Sequence, residues 1–87
     1  MIKVKVNNKT RIIRDKFIYY QTESDLECDY KNHCISISEH GTGGWYATVV
    51  DETGRYAVNF GGDFGGGHDK FETLEDVLVM CIENILI

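Results

Sequence analysis

The chain has 87 residues, 43% of them hydrophobic and 26% charged, with a net charge of -5; this balance fits one domain over 1–87 with a modest core, and excludes a disordered chain and a two-domain enzyme. No apolar run approaches the roughly 18 residues of a membrane span, and Met1 to Lys5 alternates instead of forming the apolar stretch of a signal peptide, so a cytoplasmic location is expected. Three cysteines, an odd number, fit a reducing compartment, and the absence of proline leaves the turns to Gly, Asn and Asp.

Ile2, Val4 and Val6 alternate with Lys3 and Lys5, which predicts a strand with one dry and one wet face. Asn7-Asn8 predicts a tight turn, because Asn tolerates the positive φ of hairpin turns, and Thr10 to Arg14 is the return strand. Asp15-Lys16 turns the chain into Phe17 to Tyr20, which is β-branched and aromatic throughout. Leu26, Cys28 and Tyr30 alternate with Glu27 and Asp29, Lys31-Asn32 turns the chain, and His33 to Ser38 runs back with Ile35 and Ile37 on one face. Trp45 to Val50 and Arg55 to Phe60 form the clearest hairpin, joined by Asp51-Glu52-Thr53-Gly54 with glycine at the left-handed position. Trp45, Ala47 and Val49 are expected on one face of its first strand, and Tyr56, Val58 and Phe60 on one face of its second.

Thr73 to Ile87 predicts the one helix. Leu74, Val77, Leu78, Cys81, Ile82 and Ile85 recur at i, i+3, i+4, i+7, i+8 and i+11, a single apolar face. Thr73 is placed as N-cap, accepting from the amide of Asp76, with Glu72, Glu75 and Asp76 beside the positive end of the helix dipole. Val79, Met80, Leu86 and Ile87 add apolar surface beyond that face, so Val79 and Met80 are offered as contacts for a homodimer. Runs of strands followed by one helix predict an α+β fold, an antiparallel β-sheet of about five or six strands with a single C-terminal α-helix packed on one face.

Charge is unevenly placed along the chain. Met1 to Tyr20 carries Lys3, Lys5, Lys9, Arg11, Arg14 and Lys16 against Asp15 alone, a net +5, whereas the remainder carries three cations against thirteen acids, a net -10. Either the two parts interleave as neighbouring strands whose charges pair, or the acids form an exposed face whose field attracts a basic partner and rejects nucleic acid.

No motif fixes a reaction, so no catalytic residue is assigned and the chain is read as non-enzymatic, with no cofactor. The loop Gly61 to Asp69 lacks the Gly-Lys-Ser or Gly-Lys-Thr of a phosphate loop, and Glu72, Glu75 and Asp76 at the helix start repel a nucleotide. Phe64, set among glycines between Asp63 and Asp69, is either an interface anchor or a core residue folded back. Cys28, His33, Cys34 and His40 are in an order that suits a tetrahedral zinc site, but adjacent His33 and Cys34 point to opposite faces of a strand. A Cys28–Cys34 bridge across the turn is a further alternative that needs an oxidising setting. No metal ligand is therefore assigned, and a small metal-binding or catalytic protein stays as the competing class.

From Trp45 onward, the order strand, Asp-Glu-Thr-Gly turn, strand, glycine loop and Thr73-Leu74-Glu75-Asp76-Val77-Leu78 resembles the N-terminal domain of HicB antitoxins. That resemblance implies an antitoxin that blocks a small basic RNase toxin; the family's Pro-Asp-Leu-Pro-Gly-Cys loop and its DNA-binding tail are absent from this sequence. In size, acidity and AT-rich residue usage, the chain is also similar in general character to phage-encoded inhibitors of host defence such as anti-CRISPR proteins. This likeness implies stoichiometric binding to a basic nucleic-acid-handling host protein such as a CRISPR effector or nuclease, with carboxylates where phosphates would sit and no direct contact with nucleic acid or membrane. Glu23, Asp25, Glu27 and Asp29 form an alternating acidic row suited to that role if Leu26, Cys28 and Tyr30 face inward. Asp51, Glu52, Asp63, Phe64 and Asp69 are expected to extend the partner-binding surface.

Overall fold

In the computed structural model, residues 1–39, 44–61 and 71–87 are described. Ile2–Val6 (β1) and Lys9–Ile13 (β2) form a hairpin, and a single 3-10 turn at Asp15–Phe17 leads to Ile18–Gln21 (β3), Asp25–Tyr30 (β4), His33–Glu39 (β5), Trp45–Asp51 (β6), Tyr56–Phe60 (β7) and the helix Leu74–Ile85 (α1). The strands β3 to β7 pair in chain order as a five-stranded antiparallel meander. The fold is α+β, as the pattern predicts, with one difference: β1 and β2 pair only with each other and make a separate two-stranded sheet.

Two-residue turns set this geometry. Asn7 and Asn8 have φ 53° and 66°, and Lys31 and Asn32 have φ 47° and 63°, the pair of left-handed residues that matches the twist of a hairpin. Lysine lacks the short polar side chain that eases this conformation, so Lys31 carries a cost on the order of 1–2 kcal/mol. At the β6–β7 turn, Gly54 takes φ 89°.

The helix is held by its N-terminal cap and by its apolar face. Thr73 accepts from the Asp76 amide at 3.2 Å and Asp76 accepts from the Thr73 amide at 3.3 Å, a reciprocal capping box. Val77, Leu78, Cys81 and Ile82 are buried, with Leu74 and Ile85 at the margin, the stripe expected from the spacing. Each large aliphatic on it contributes about 1.5–3 kcal/mol when fully buried.

The helix packs on the sheet through β5, β6 and β7 and on the hairpin through β1. Val4, Val6 and Ile13 from the hairpin therefore join Leu26, Cys28, Ile35, Ile37, Trp45, Ala47 and Val49 in one core. The indole Nε1 of Trp45 donates to the carbonyl of Phe71 at 3.1 Å, which ties the approach to α1 to the start of β6.

The helix flank is partly covered. Val79 and Met80 are half-buried and packed against the core, and Ile87 is 98% exposed. Val79 and Met80 thus keep part of their surface open, and the hairpin meets the helix through β1.

Candidate protein-docking face

The meander shows one face to the helix and the other to solvent. Leu26 and Cys28 are fully buried and Tyr30 is packed at the core margin, so strand alternation puts Asp25, Glu27 and Asp29 on the opposite face. Cross-strand register extends that face from β4 to β5, β6 and β3: Asp25 pairs with Ser38, Glu27 with Ser36 and Asp29 with Cys34, Ser36 and Ser38 pair with Thr48 and Tyr46, and Tyr20 stands opposite Glu27.

None of the five strands contains a lysine or arginine, whereas β1 and β2 carry Lys3, Lys5, Lys9 and Arg11 and no acid. The two signs therefore do not interleave in the sheet. Among the described residues, the ion pair found is between the N-terminal ammonium and Asp15.

The three carboxylates differ in what they hold. Asp25 accepts from the Ser24 hydroxyl at 3.2 Å, while its amide donates to the Thr22 hydroxyl at 2.9 Å, so it helps to form the β3–β4 turn. Asp29 accepts from the Tyr19 hydroxyl at 2.5 Å. That bond, with Asp29's charge, pushes the Tyr19 phenol above its ordinary value and keeps its proton in place. Glu27 is exposed and its carboxylate makes no hydrogen bond or ion pair within the described residues. A recess of about 220 Å³ lies between Tyr20, Asp25, Glu27, Ser36 and Ser38. Two carboxylates, two hydroxyls and an aromatic edge suit the head of a partner's lysine or arginine.

Other predicted site residues fall elsewhere. Glu23 does not continue the row, because β4 begins at Asp25 and Glu23 sits in the preceding turn, where it lines a different cleft with Glu39 and Glu72. His33 pairs with Asp51, which sets the β6–β7 turn at the Asp29 end of the sheet, with Glu52 exposed at its tip. Asp63, Phe64, Asp69, His40 and His68 lie outside the described residues.

Asp51 itself is turned inward on its own loop. Its Oδ1 accepts from the Thr53 hydroxyl at 2.6 Å, the Thr53 amide at 2.9 Å and the Arg55 amide at 3.0 Å. The hydroxyl bond first, and the two amides with it, hold its carboxyl below the ordinary value of 3.8. A depressed carboxyl contributes stability above its unfolded-state value and loses it as pH falls through the folded-state value. The melting-temperature gap between the wild type and Asp51→Asn is therefore expected to be full at neutral pH and to close as pH drops below about 3.8. A gap that persists undiminished into that acid range would show that the carboxylate's charge does not hold the turn.

Cys28 and Cys34 do not converge. Cys28 pairs with Ile35 and Cys34 with Asp29, so the two side chains face opposite sides of the sheet, and all three cysteines are free. Burial pushes the Cys28 and Cys81 thiols up to about 12, and burial with the nearby Asp29 and Glu27 raises exposed Cys34 as well, leaving each a poor nucleophile at neutral pH. His33 Nδ1 lies 2.8 Å from the Lys31 carbonyl. Among the described residues, no three His, Cys, Asp or Glu side chains gather in a way that could hold a metal ion.

Sequence reasoning missed Tyr20 as a wall of the recess and misplaced Tyr56. A bulge in the β6–β7 pairing sets Val49 opposite Val58 but Val50 opposite Tyr56. Tyr56 thereby leaves the Val58 face and is 58% exposed. No helix among the described residues is long and apolar enough to cross a membrane. No protein-family model matches the chain, and no curated protein or solved structure matches it either.

Proposed function

We propose that the protein is a non-enzymatic inhibitor that docks its acidic sheet face on the cationic surface of a nucleic-acid-handling protein, acting as an anti-CRISPR-type protein in the cytoplasm of a phage host. The observation that carries this reading is the recess between Asp25 and Glu27, on a five-stranded sheet whose strands contain no lysine or arginine. A carboxylate face with no lysine or arginine in its strands competes with phosphates for the partner's lysines and arginines, and repels nucleic acid from that face. Tyr20, 54% exposed beside the recess, supplies the aromatic contact that such interfaces concentrate. An antitoxin that neutralises a small basic RNase would use the same chemistry, and the partner's identity separates the two.

The test is a tagged pull-down from lysate of the bacterial host, at low and high salt, with the wild type and Glu27→Lys side by side. One basic nuclease or nucleic-acid-guided effector is expected, released by salt. Its affinity for Glu27→Lys is expected to fall at least about 30-fold, or about 2 kcal/mol, because a cation then faces a cation in the recess. Equal capture by both forms, or no specific partner at either salt, would overturn the acidic-face reading.

A further inference from the structure

The chain's overall acidity argues against nucleic acid, but the cations gather where the β1–β2 hairpin meets the end of β4. At the end of β2, between the 3-10 turn and the β4–β5 turn, is a cleft of about 300 Å³ lined by Ile12, Arg14, Phe17, Tyr30, Lys31 and Asn32. Neither Arg14 nor Lys31 has an ion-pair partner among the described residues. Lys16 Nζ lies 5.1 Å from the Phe17 ring centroid, which puts a third cation beside the cleft. Asp29 is the acid on the lining, and its carboxylate already holds the Tyr19 hydroxyl.

Two further features give the cleft a direction. Phe17 is 40% and Ile12 45% exposed, so its walls present apolar surface to solvent. Register continues it along the hairpin, where Ile12 pairs with Lys3 and Thr10 with Lys5, all four exposed on the face turned away from the core.

We infer that this cleft and the outward face of the β1–β2 hairpin bind a single strand of nucleic acid. One base lies against Phe17 and Tyr30, its phosphate is held by Arg14 and Lys31, and the adjoining phosphates run along Lys3 and Lys5. Stacking surface beside unpaired cations is the combination that single strands use. An acidic peptide satisfies the cations and leaves the aromatic wall without a flat partner. A free nucleotide fills the cleft and does not reach Lys3 and Lys5. The cleft shares Asp29 with the acidic face but none of the residues of the Asp25–Glu27 recess, so either proposal survives the failure of the other.

The experiment is fluorescence anisotropy of a labelled oligouridylate of about ten nucleotides. Engagement of about three phosphates predicts that affinity falls about 20-fold between roughly 50 and 200 mM salt. Phe17→Ala is expected to weaken binding about tenfold through lost stacking, and the double variant Arg14→Glu, Lys31→Glu by more, with circular dichroism confirming that both remain folded. Glu27→Lys, which tests the other face, is expected to retain binding. Absence of binding at the low salt, or unchanged affinity in both folded variants, would overturn the proposal. Equal competition by uridine monophosphate would assign the cleft to a free nucleotide, and equal competition by polyglutamate would assign it to polyanions in general; either result overturns the strand.

Discussion

Replacing Gly61 with alanine is expected to remove a large part of the stability of the domain. Gly61 leaves β7 at φ 117°, and an added Cβ would stand 2.5 Å from the Trp45 carbonyl oxygen and 2.8 Å from the Tyr46 Cα. Both neighbours are backbone atoms of β6, and a side-chain rotation cannot move them. The left-handed φ alone costs about 1–2 kcal/mol in a residue with a Cβ, and parting the two strands adds to it. An expected total of about 3 kcal/mol or more would lower the melting temperature by about 12 °C or more in a domain of this size. Gly54 is the control: its φ of 89° carries the same kind of backbone penalty, but nothing lies within 4 Å of an added Cβ. Thermal unfolding of both alanine variants should show the Gly61 loss clearly exceeding the Gly54 loss. Equal losses would mean that strand contact at Gly61 is not what requires glycine.

The second large effect is expected from Leu78→Ala. Leu78 is 1% exposed, in the middle of the helix stripe that meets both the sheet and the hairpin. Truncation there removes transfer energy and leaves a cavity between two layers that cannot both collapse into it, at a cost of about 2–5 kcal/mol. Met80→Ala, two residues along and half-buried at the core margin, is expected to cost roughly 1 kcal/mol. Urea unfolding would separate the two as midpoint shifts with an unchanged slope. A Met80 loss as large as that of Leu78 would show that the helix flank is held more tightly than its exposure indicates.

What was legible in the sequence depended on whether the signal was local. The helix stripe and the Thr73 cap were readable because both are fixed by spacing within one element. Asn7-Asn8 and Lys31-Asn32 were readable as turns because each separates two runs of alternating residues. The inward set of Leu26, Cys28 and Tyr30, and with it the outward set of Asp25, Glu27 and Asp29, followed from alternation alone.

Features that depend on a partner strand were not readable in this way. Alternation does not say which strand pairs with which, so the separation of β1–β2 into its own sheet was hidden. The contact of β1 with the helix was hidden with it. Extending the acidic alternation back to Glu23 ignored the Thr22 and Ser24 hydroxyls, which form a turn with Asp25 before the strand starts. Tyr56 was misplaced because a bulge shifts the side-chain period, and no residue in β7 announces it. The recess needed the β3–β4 register, with its own irregularity between Ile18 and Tyr20, before Tyr20 could be set opposite Glu27.

The packing of β1 against α1 divides the assembly of the molecule into cheap and costly steps. Each strand of the meander finds its partner across a short connection, so pairing from β3 to β7 closes only small loops. Joining β1 to α1 brings together segments separated by most of the chain, and the entropy of that closure is recovered only when Val4 and Val6 meet the helix. The greasy side of the meander is thus covered by the helix that follows it in the chain, and the first strand completes the same core from the chain's other end.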